Sequence, residues 1–331
     1  MRDMVTGGCG FIGSHLVDAL LAQGRKVTVI DNLAVGRRAN LAQHEGSDRL
    51  SIVEGDVADY ALVRREMKGV DRVFHLAALA DIVPSVENPQ AYYAANVTGT
   101  LSVLEAARAE GVKRLVYTAS SSCYGLAEQI PTPEDAPKSP QYPYALTKYL
   151  GEQLVLHWAQ LYGLPAVSVR FFNIYGPRAR TSGTYGAVFG VFLAQLRAGK
   201  PLTIVGDGTQ MRDFTFVSDA VDGILAAANG PFSGEAFNVG TGSPISVNRL
   251  VGLLGAKETA FLPKRPGEPD VTCADIAKIR AKLGWTPKVS IEEGVSIMLD
   301  GLESWNGAPV WTPDTIATAT EAWFKYLKPS L

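Results

Sequence analysis

Residues 117–125 read YTASSSCYG, and residues 143–153 read PYALTKYLGEQ. Ser120, Ser121 and Ser122 set three hydroxyls in a row at the end of an apolar run, with no acid and no histidine among them. Tyr144 and Lys148 stand four apart in a segment of helical spacing, so both side chains leave one helix face. A free phenol titrates near ~10 and is a poor base at neutral pH. An ammonium nearby, together with a positive nicotinamide, favours the phenolate. A serine that holds a substrate oxygen while the phenolate takes its proton makes a working acid/base set for a sugar or alcohol hydroxyl. A tyrosine and a lysine four apart also occur as a plain surface stripe, so the pair takes its meaning from the elements around it.

Those elements alternate. MVTGG, KVTVIDN, LSIVEGD, RVFHLAA, RLVYTAS and AVSVRFFN read as strands. FIGSHLVDALLAQG, YALVRREMKG, NVTGTLSVLEAARAEG and YALTKYLGEQLVLHWAQLYG have helical spacing. The alternation predicts an α/β fold, a Rossmann-type doubly wound parallel sheet with helices on both faces. Short, nearly all-apolar strands suit a sheet buried on both sides. Past residue 173 glycine, proline and aromatics rise (IYGPRARTSGTYG, AGKPLTIVGDGTQ, LPKRPGEPD), which reads as a smaller α/β substrate lobe. We expect a cofactor lobe over residues 1–172 and a substrate lobe over 173–331. A segment near 213–240 returns to the first lobe, because GEAFNVGTG again reads as a buried strand.

TGGCGFIGSHL (6–16) follows the first strand and opens the first helix. Gly7, Gly10 and Gly13 recur every third residue, with Phe11 and Ile12 between the last two. Glycine is needed where the backbone turns tightly and where a pyrophosphate approaches bare amides, and Gly13 would let the helix pack on the strand. Asp31 ends the second strand, next to Asn32, where a carboxylate can accept from the adenosine ribose hydroxyls. It would repel a 2′-phosphate, which favours NAD over NADP, although Arg37 and Arg38 follow closely. Asp56 and Val57 follow the third strand, and Leu76, Ala77 and Ala78 the fourth, where a dinucleotide lying across the strand ends would be met. Asp56 could accept from the adenine amino group. His75 reads as a packed, hydrogen-bonded histidine. Asn96, in NVTGT, reads either as a support for the site or as a helix cap.

The bulk properties remove other classes. The chain has 331 residues, 47% hydrophobic and 19% charged, with a net charge of −2, so no basic surface argues for nucleic acid. No apolar run approaches the ~20 residues of a membrane span. The N-terminus runs straight into a strand, which leaves no room for a signal peptide, and the expected setting is a reducing cytoplasm. Cys9, Cys123 and Cys273 are far apart and odd in number, with neither metal-ligand spacing nor a disulfide framework.

Taken in order, TGGCGFIG, Asp31, HLAA, NVTGT, SSSCYG, YALTK and RFFNIYGPR resemble the extended short-chain dehydrogenase/reductases, and most of all the NAD-dependent nucleotide-sugar epimerase/dehydratase group. The resemblance runs from residue 4 to about residue 300. It implies an NAD-binding Rossmann domain and a small domain for a nucleoside-diphosphate sugar, in the setting of polysaccharide biosynthesis. Ser120, Tyr144 and Lys148 fall on the family's catalytic trio, with Tyr144, Lys148 and Asn96 also against the cofactor; Ser121 and Ser122 are near alternates to Ser120. Asn173 falls on an asparagine that contacts the sugar diphosphate. Ala187, Val188 and Phe192 fall on the segment covering the uracil, and Ser85 on a sugar contact. Arg212 and Arg265 fall on arginines that hold the diphosphate, a task suited to guanidinium forks, and Glu268 follows in the same RPGE stretch.

In the family's dehydratases the serine or threonine is followed by an Asp-Glu pair, and UDP-sugar decarboxylases carry a Glu there. Here the residues are Ser121 and Ser122, which leaves hydride chemistry alone. The implied activity is a UDP-sugar 4-epimerase: the sugar is oxidised at C4, the 4-keto sugar swings about its phosphate linkage, and reduction follows on the other face. Regenerated within each cycle, NAD should stay bound. Competing readings are a UDP-uronate 4-epimerase, a nucleotide-sugar 4-reductase, and a non-catalytic NAD-binding protein, against which Ser120, Tyr144 and Lys148 argue. The family also implies a homodimer through helices that include 92–110 and 144–162. In the Trp-rich tail the spacing of Ile316, Ala319, Trp323 and Leu327 predicts a helical segment that packs onto the lobe or onto a partner.

Where the family's 4-epimerases line the sugar pocket, a bulky tyrosine blocks an N-acetyl group; this chain has Thr272. UDP-N-acetylhexosamines should therefore enter as well as UDP-hexoses, although Ala179 stands where several N-acetylhexosamine epimerases carry a glutamine. Thr272→Tyr is expected to cost about tenfold or more in kcat/KM on N-acetylated sugars and little on plain hexoses, measured on both with one preparation. Equal losses on the two would refute the steric reading.

Overall fold

Seven parallel strands form the central sheet of the computed structural model, which describes residues 1–179 and 187–327. They are β1 (Arg2–Thr6), β2 (Lys26–Asp31), β3 (Leu50–Glu54), β4 (Arg72–His75), β5 (Arg114–Ser120), β6 (Ala166–Phe171) and β7 (Glu235–Val239). Their order across the sheet is β7-β6-β5-β4-β1-β2-β3, each paired in parallel with its neighbours. The order reverses between β1 and β4, and at such a switch the strand ends open a crevice. The six strands expected from the first half all form, and β7 reaches the sheet from beyond residue 172.

Each face of the sheet carries its own core. On one face α1 (Phe11–Ala22) and α6 (Val217–Asn229) bury Leu16, Leu20, Val221 and Ile224 against Val5, Val29 and Val169. On the other, α2 (Tyr60–Met67), α3 (Gly99–Ala109) and α4 (Pro143–Tyr162) bury Val63, Leu104 and Val155 against Met4, Val73 and Leu115. Neighbouring residues along one strand serve opposite cores, as their alternating directions require. Pro143 opens α4 at its first turn, where its missing N–H costs nothing, and Gly163 closes it at φ 67°.

The smaller part holds α5 (Val188–Arg197) and three two-stranded ladders: Asn173–Tyr175 with Phe214–Phe216, Met211–Arg212 with Ile245–Ser246, and Leu202–Val205 with Thr259–Leu262. Its core is aromatic, with Tyr175 and Phe189 stacked at 4.2 Å and Phe192, Phe214 and Phe216 buried around them. The tail folds into short helices at Pro313–Ala319 and Glu321–Tyr326. Of the four positions whose spacing predicts packing, Ile316, Trp323 and Leu327 are buried and Ala319, where the first of these helices ends, is half-buried; Trp323 and Leu327 pack against Val83. Among the described residues no helix is long and apolar enough to cross a membrane.

A buried ion pair ties α4 to the sheet. Glu152 accepts from Ser168 Oγ at 2.8 Å and from Arg170 Nη2 at 2.7 Å. Arg170 also donates to Tyr124 Oη and to the Glu134 carbonyl, each at 2.7 Å. Losing one partner would strand the other charge in the core, so Glu152→Ala is expected to cost about 3–5 kcal/mol, read from denaturant unfolding. Ser168→Ala, which removes a single neutral donor, should cost about 1–3 kcal/mol.

Candidate active site

The crevice at the switch point is floored by the glycine turn. Gly7 has φ 71°, and a Cβ there would lie 2.7 Å from the Ala77 nitrogen. A Cβ on Gly13 would lie 2.2 Å from the Gly7 oxygen, so strand, turn and helix meet at backbone distance. Gly10 donates to the Gly7 carbonyl at 3.0 Å and starts α1 with no side-chain cap and no acid in the first turn. The helix therefore presents the positive end of its dipole and the amides of Phe11, Ile12 and Gly13 to the crevice, a cradle that fits a pyrophosphate.

Asp31 is buried. Its Oδ2 accepts from the Cys9 N–H and its Oδ1 from the Leu33 N–H, both at 2.9 Å, and burial raises its pKa. Its first task in the fold is thus to hold the glycine turn, while each oxygen keeps a second acceptor site for a ribose hydroxyl. Asn32 donates to Asp56 Oδ2 at 3.1 Å, and Asp56 Oδ1 accepts from the Ala58 N–H. Both are exposed where β2 and β3 end, whereas Val57 faces inward to the core. Leu76, Ala77 and Ala78 line the turn after β4, half-buried. Glycine cradle, uncapped helix start and Asp31 together fit NAD.

His75 is a link in a buried chain. Its Nδ1 lies 2.7 Å from Thr6 Oγ1, its Nε2 lies 2.9 Å from Thr100 Oγ1, and Thr100 donates to the Asn96 carbonyl. Burial lowers the His75 pKa to about 3, so the ring is neutral at physiological pH. Asn96 caps no helix. It sits in a turn of π-helix, Ala94–Thr98. Its Oδ1 accepts from the Leu79 N–H, and its Nδ2 donates to the Leu79 carbonyl and to Thr147 Oγ1. One amide thereby fastens the turn after β4 to α4.

Tyr144 and Lys148 share a face of α4, above the end of β5. Burial pushes the Tyr144 phenol up, and hydrogen bonding from the Ser120 side chain pulls it back. Lys148 is buried, its Nζ 4.3 Å from the centroid of the Tyr117 ring, and burial lowers its pKa to about 7 against the pull of Glu152. The expected lowering of Tyr144 by the ammonium is thus not what the chain alone produces: desolvation is the larger influence, and Lys148 reaches over Tyr117. Of the three serines, Ser120 is the one that faces the phenol, and it caps the short 3-10 turn Ser121–Tyr124 by accepting from the Ser122 N–H.

Four substrate candidates distant in sequence pair within the smaller part. Thr272 Oγ1 donates to Asn173 Oδ1 at 3.1 Å. Arg212 is buried and forks to Glu268 Oε1 at 2.8 Å and to the Met211 carbonyl at 2.9 Å. Arg265 lies with its guanidinium 5.3 Å from the Trp323 ring centroid. Ser85 is fully buried and donates to the Ile82 carbonyl of its own helix. Ala187 is the exposed N-cap of α5, Val188 follows half-buried, and Phe192 lies inside the aromatic core.

Tyr142 and Trp323 belong to the site and escaped the sequence reading. Tyr142 stacks parallel to Tyr144 at 6.3 Å, with Trp323 at 6.2 Å, and Trp323 Nε1 donates to the Pro266 carbonyl. An aromatic just before the proline that opens α4 was the available signal. Asp213 was missed as well: wholly buried, it accepts from the N–H groups of Thr241, Gly242 and Ala274 and so fixes the strand that carries Arg212.

A doubly wound sheet with a glycine turn at its switch point, and a serine, tyrosine and lysine gathered beside it, defines an extended short-chain dehydrogenase/reductase. The chain belongs to the NAD dependent epimerase/dehydratase family, whose profile matches residues 4–240. It is 40% identical to the UDP-glucose 4-epimerase of Mycolicibacterium smegmatis, over 89% of this chain and 96% of that one. It superposes with a TM-score of 0.85 and 33% identity on the UDP-N-acetylglucosamine 4-epimerase of Methanobrevibacter ruminantium M1 in complex with UDP-N-acetylmuramic acid, covering 91% of this chain and 98% of that one. It superposes equally, at 0.85 and 32% identity, on the UDP-glucuronic acid 4-epimerase of Bacillus cereus in complex with UDP-glucuronic acid and NAD, covering 92% and 99%.

The close approach at Gly7 yields a direct check. Gly7→Ala is expected to weaken NAD retention about tenfold or more, because the new methyl both strains a positive φ and presses on Ala77. NAD released from equal amounts of purified variant and parent measures it.

Proposed function

We propose that this chain is an NAD-dependent UDP-sugar 4-epimerase that takes UDP-hexoses and UDP-N-acetylhexosamines. The observation that carries the reading is the turn after β5: Ser120 is followed by Ser121 and Ser122, and Ser122 spends its hydroxyl on Ser120 at 2.9 Å. A catalytic turn built from hydroxyls can hold and protonate an oxygen, but it lacks the carboxylates that would drive elimination or decarboxylation.

Bound across the strand ends, NAD supplies an acceptor and donor of hydride at the sugar's C4. Tyr144, as phenolate, takes the proton of the 4-hydroxyl while Ser120 holds that oxygen. Lys148 places its charge beneath the site. The 4-keto sugar turns about its diphosphate linkage, and Tyr144 returns the proton as C4 is reduced on the opposite face. Arg212 and Arg265 keep the diphosphate anchored through the turn, while Asn173 and Thr272 border the sugar. We assign the cofactor lobe to residues 1–172 with the returning strand β7, and the sugar lobe to most of 173–331.

We further propose a homodimer through α3 and α4, supported by Tyr93, Leu101, Leu146, Leu161 and Tyr162, large apolar side chains left 38–58% exposed on that side. Three unpaired buried cysteines suit a reducing cytoplasm.

The deciding experiment is proton NMR of the purified protein with UDP-N-acetylglucosamine and, separately, UDP-glucose, with no cofactor added. The 4-epimer of each should accumulate to equilibrium, and Tyr144→Phe should slow this at least about a hundredfold. No epimer from either sugar, even with NAD supplied, would reject the reading and turn attention to uronates or to a reductase. Sedimentation velocity should show a dimer that Leu161→Glu weakens.

A further inference from the structure

The tail, past the residues that resemble the family, bridges two parts of the molecule. It leaves the smaller part, where Trp305 and Trp311 pack into the aromatic core and Gln195 Nε2 donates to the Trp311 carbonyl at 2.7 Å. It ends against the short helix Ile82–Glu87, where Trp323 and Leu327 pack on Val83. Between these points run two helices of seven and six residues. Helices that short do not hold themselves in water, so packing must hold them. At the far end the anchor is the buried Trp323.

Three neighbours meet on that one indole. The Arg265 guanidinium lies 5.3 Å from the ring centroid. The Tyr142 ring lies 6.2 Å away and stacks in turn on Tyr144. The Nε1 proton goes to the Pro266 carbonyl at 2.8 Å. That last contact answers a need of the loop. Pro266 followed by Gly267 at φ 71° is the residue order of a type II turn. Such a turn joins its first carbonyl to its fourth N–H, which leaves the proline carbonyl to find a partner outside. Glu268, next along, accepts from Arg212 at 2.8 Å. The turn thus carries one arginine and braces the other. An indole suits the place, because it offers both an electron-rich face for a cation and an N–H on its edge.

We infer that Trp323 is a positioning residue for the diphosphate of the sugar nucleotide: its face orients Arg265, and its N–H fixes the turn between Arg265 and Glu268. The inference rests on the reading above that Arg212 and Arg265 hold that diphosphate. It gives the tail a task in binding, and it refers the diphosphate anchor and the ring beside Tyr144 to one side chain.

The sign of the effect follows. A diphosphate is held alike before, during and after the chemical step, so a loosened anchor weakens binding of all these states together. Losing Trp323 should therefore raise KM and the Kd for UDP, while the proton-moving set of Ser120, Tyr144 and Lys148 keeps kcat near the parent value. A tail that only added stability would behave oppositely: less folded enzyme, a lower apparent kcat and an unmoved KM.

The test is a double-mutant cycle, read by calorimetric titration of the full chain with UDP. Trp323→Ala should weaken UDP binding about tenfold, the joint worth of a cation–π contact and a hydrogen bond. Trp323→Phe, which keeps a ring face and loses the N–H, should weaken it about threefold. In an Arg265→Ala background, Trp323→Ala should cost at most about twofold more, because the group it positions is gone. In the epimerase assay Trp323→Ala should raise KM about tenfold with kcat within about threefold. Losses that multiply in the double variant, or a fall in kcat with KM unmoved, overturn the proposal. If Trp323→Ala does not fold, the same cycle with Trp323→Phe decides. UDP binding needs no turnover, so coupled losses in a protein that epimerises no sugar would uphold the role of Trp323 and remove the epimerase reading. Multiplied losses in a protein that does epimerise would leave that reading standing and remove the inference, and a parent chain that binds no UDP would overturn both.

Discussion

The side-chain amide of Asn96 is the constraint on which the site depends. It grips both backbone groups of Leu79 and, through Thr147, the turn of α4 between Tyr144 and Lys148. That grip adds a directional tie between the floor of the crevice and the helix carrying Tyr144 and Lys148, beside the Glu152–Arg170 ion pair that fastens the same helix to β6. Apolar packing is strong but non-directional, and helix and turn could slide by the fraction of an ångström that proton and hydride transfer cannot tolerate. The π-helical turn at Ala94–Thr98 fits this role, since one extra residue in the turn is a local cost that persists where a functional position requires it.

Around that amide the polar groups form connected sets rather than isolated pairs. Thr6, His75 and Thr100 lead from the glycine turn to the Asn96 carbonyl. Glu152 and Arg170 lead from α4 through β6 to Tyr124. Asp213 gathers three backbone amides behind Arg212. Each set lies inside the protein, where an unpaired member would be expensive and a satisfied one has a single geometry. The proposed catalytic groups are placed by these networks, and the apolar cores on either side of the sheet supply the stability.

Much of this was legible beforehand, for physical reasons. The strands of a sheet covered on both faces are short apolar runs, and the helices between them carry their own spacing, so the fold could be read from pattern alone. The glycine turn was legible because backbone-distance contact excludes every other residue. Asn173 and Thr272, 99 residues apart, meet in one hydrogen bond, and only the resemblance to relatives had put them in the same pocket. Tyr142 and Trp323 were not legible as site residues, because an aromatic gives no local sign of which cavity it will face. Nor was the balance at Tyr144: spacing showed that Lys148 shares its helix face, but burial and the Tyr117 ring decide what the ammonium does.

The late return of β7 to the sheet bears on how the protein is made. The strand beside it, β6, ends at Phe171, while β7 begins at Glu235. A nascent chain released from the ribosome tunnel only as far as β6 holds nearly all of the cofactor lobe, yet presents the whole edge of an apolar strand to its surroundings. Parallel pairing over such sequence distances is slow to form, and an uncovered edge is a template for another copy. Between the emergence of residue 171 and that of residue 239 the β6 edge therefore stays uncovered, and the segment 172–234 is the linker that delivers the closing strand.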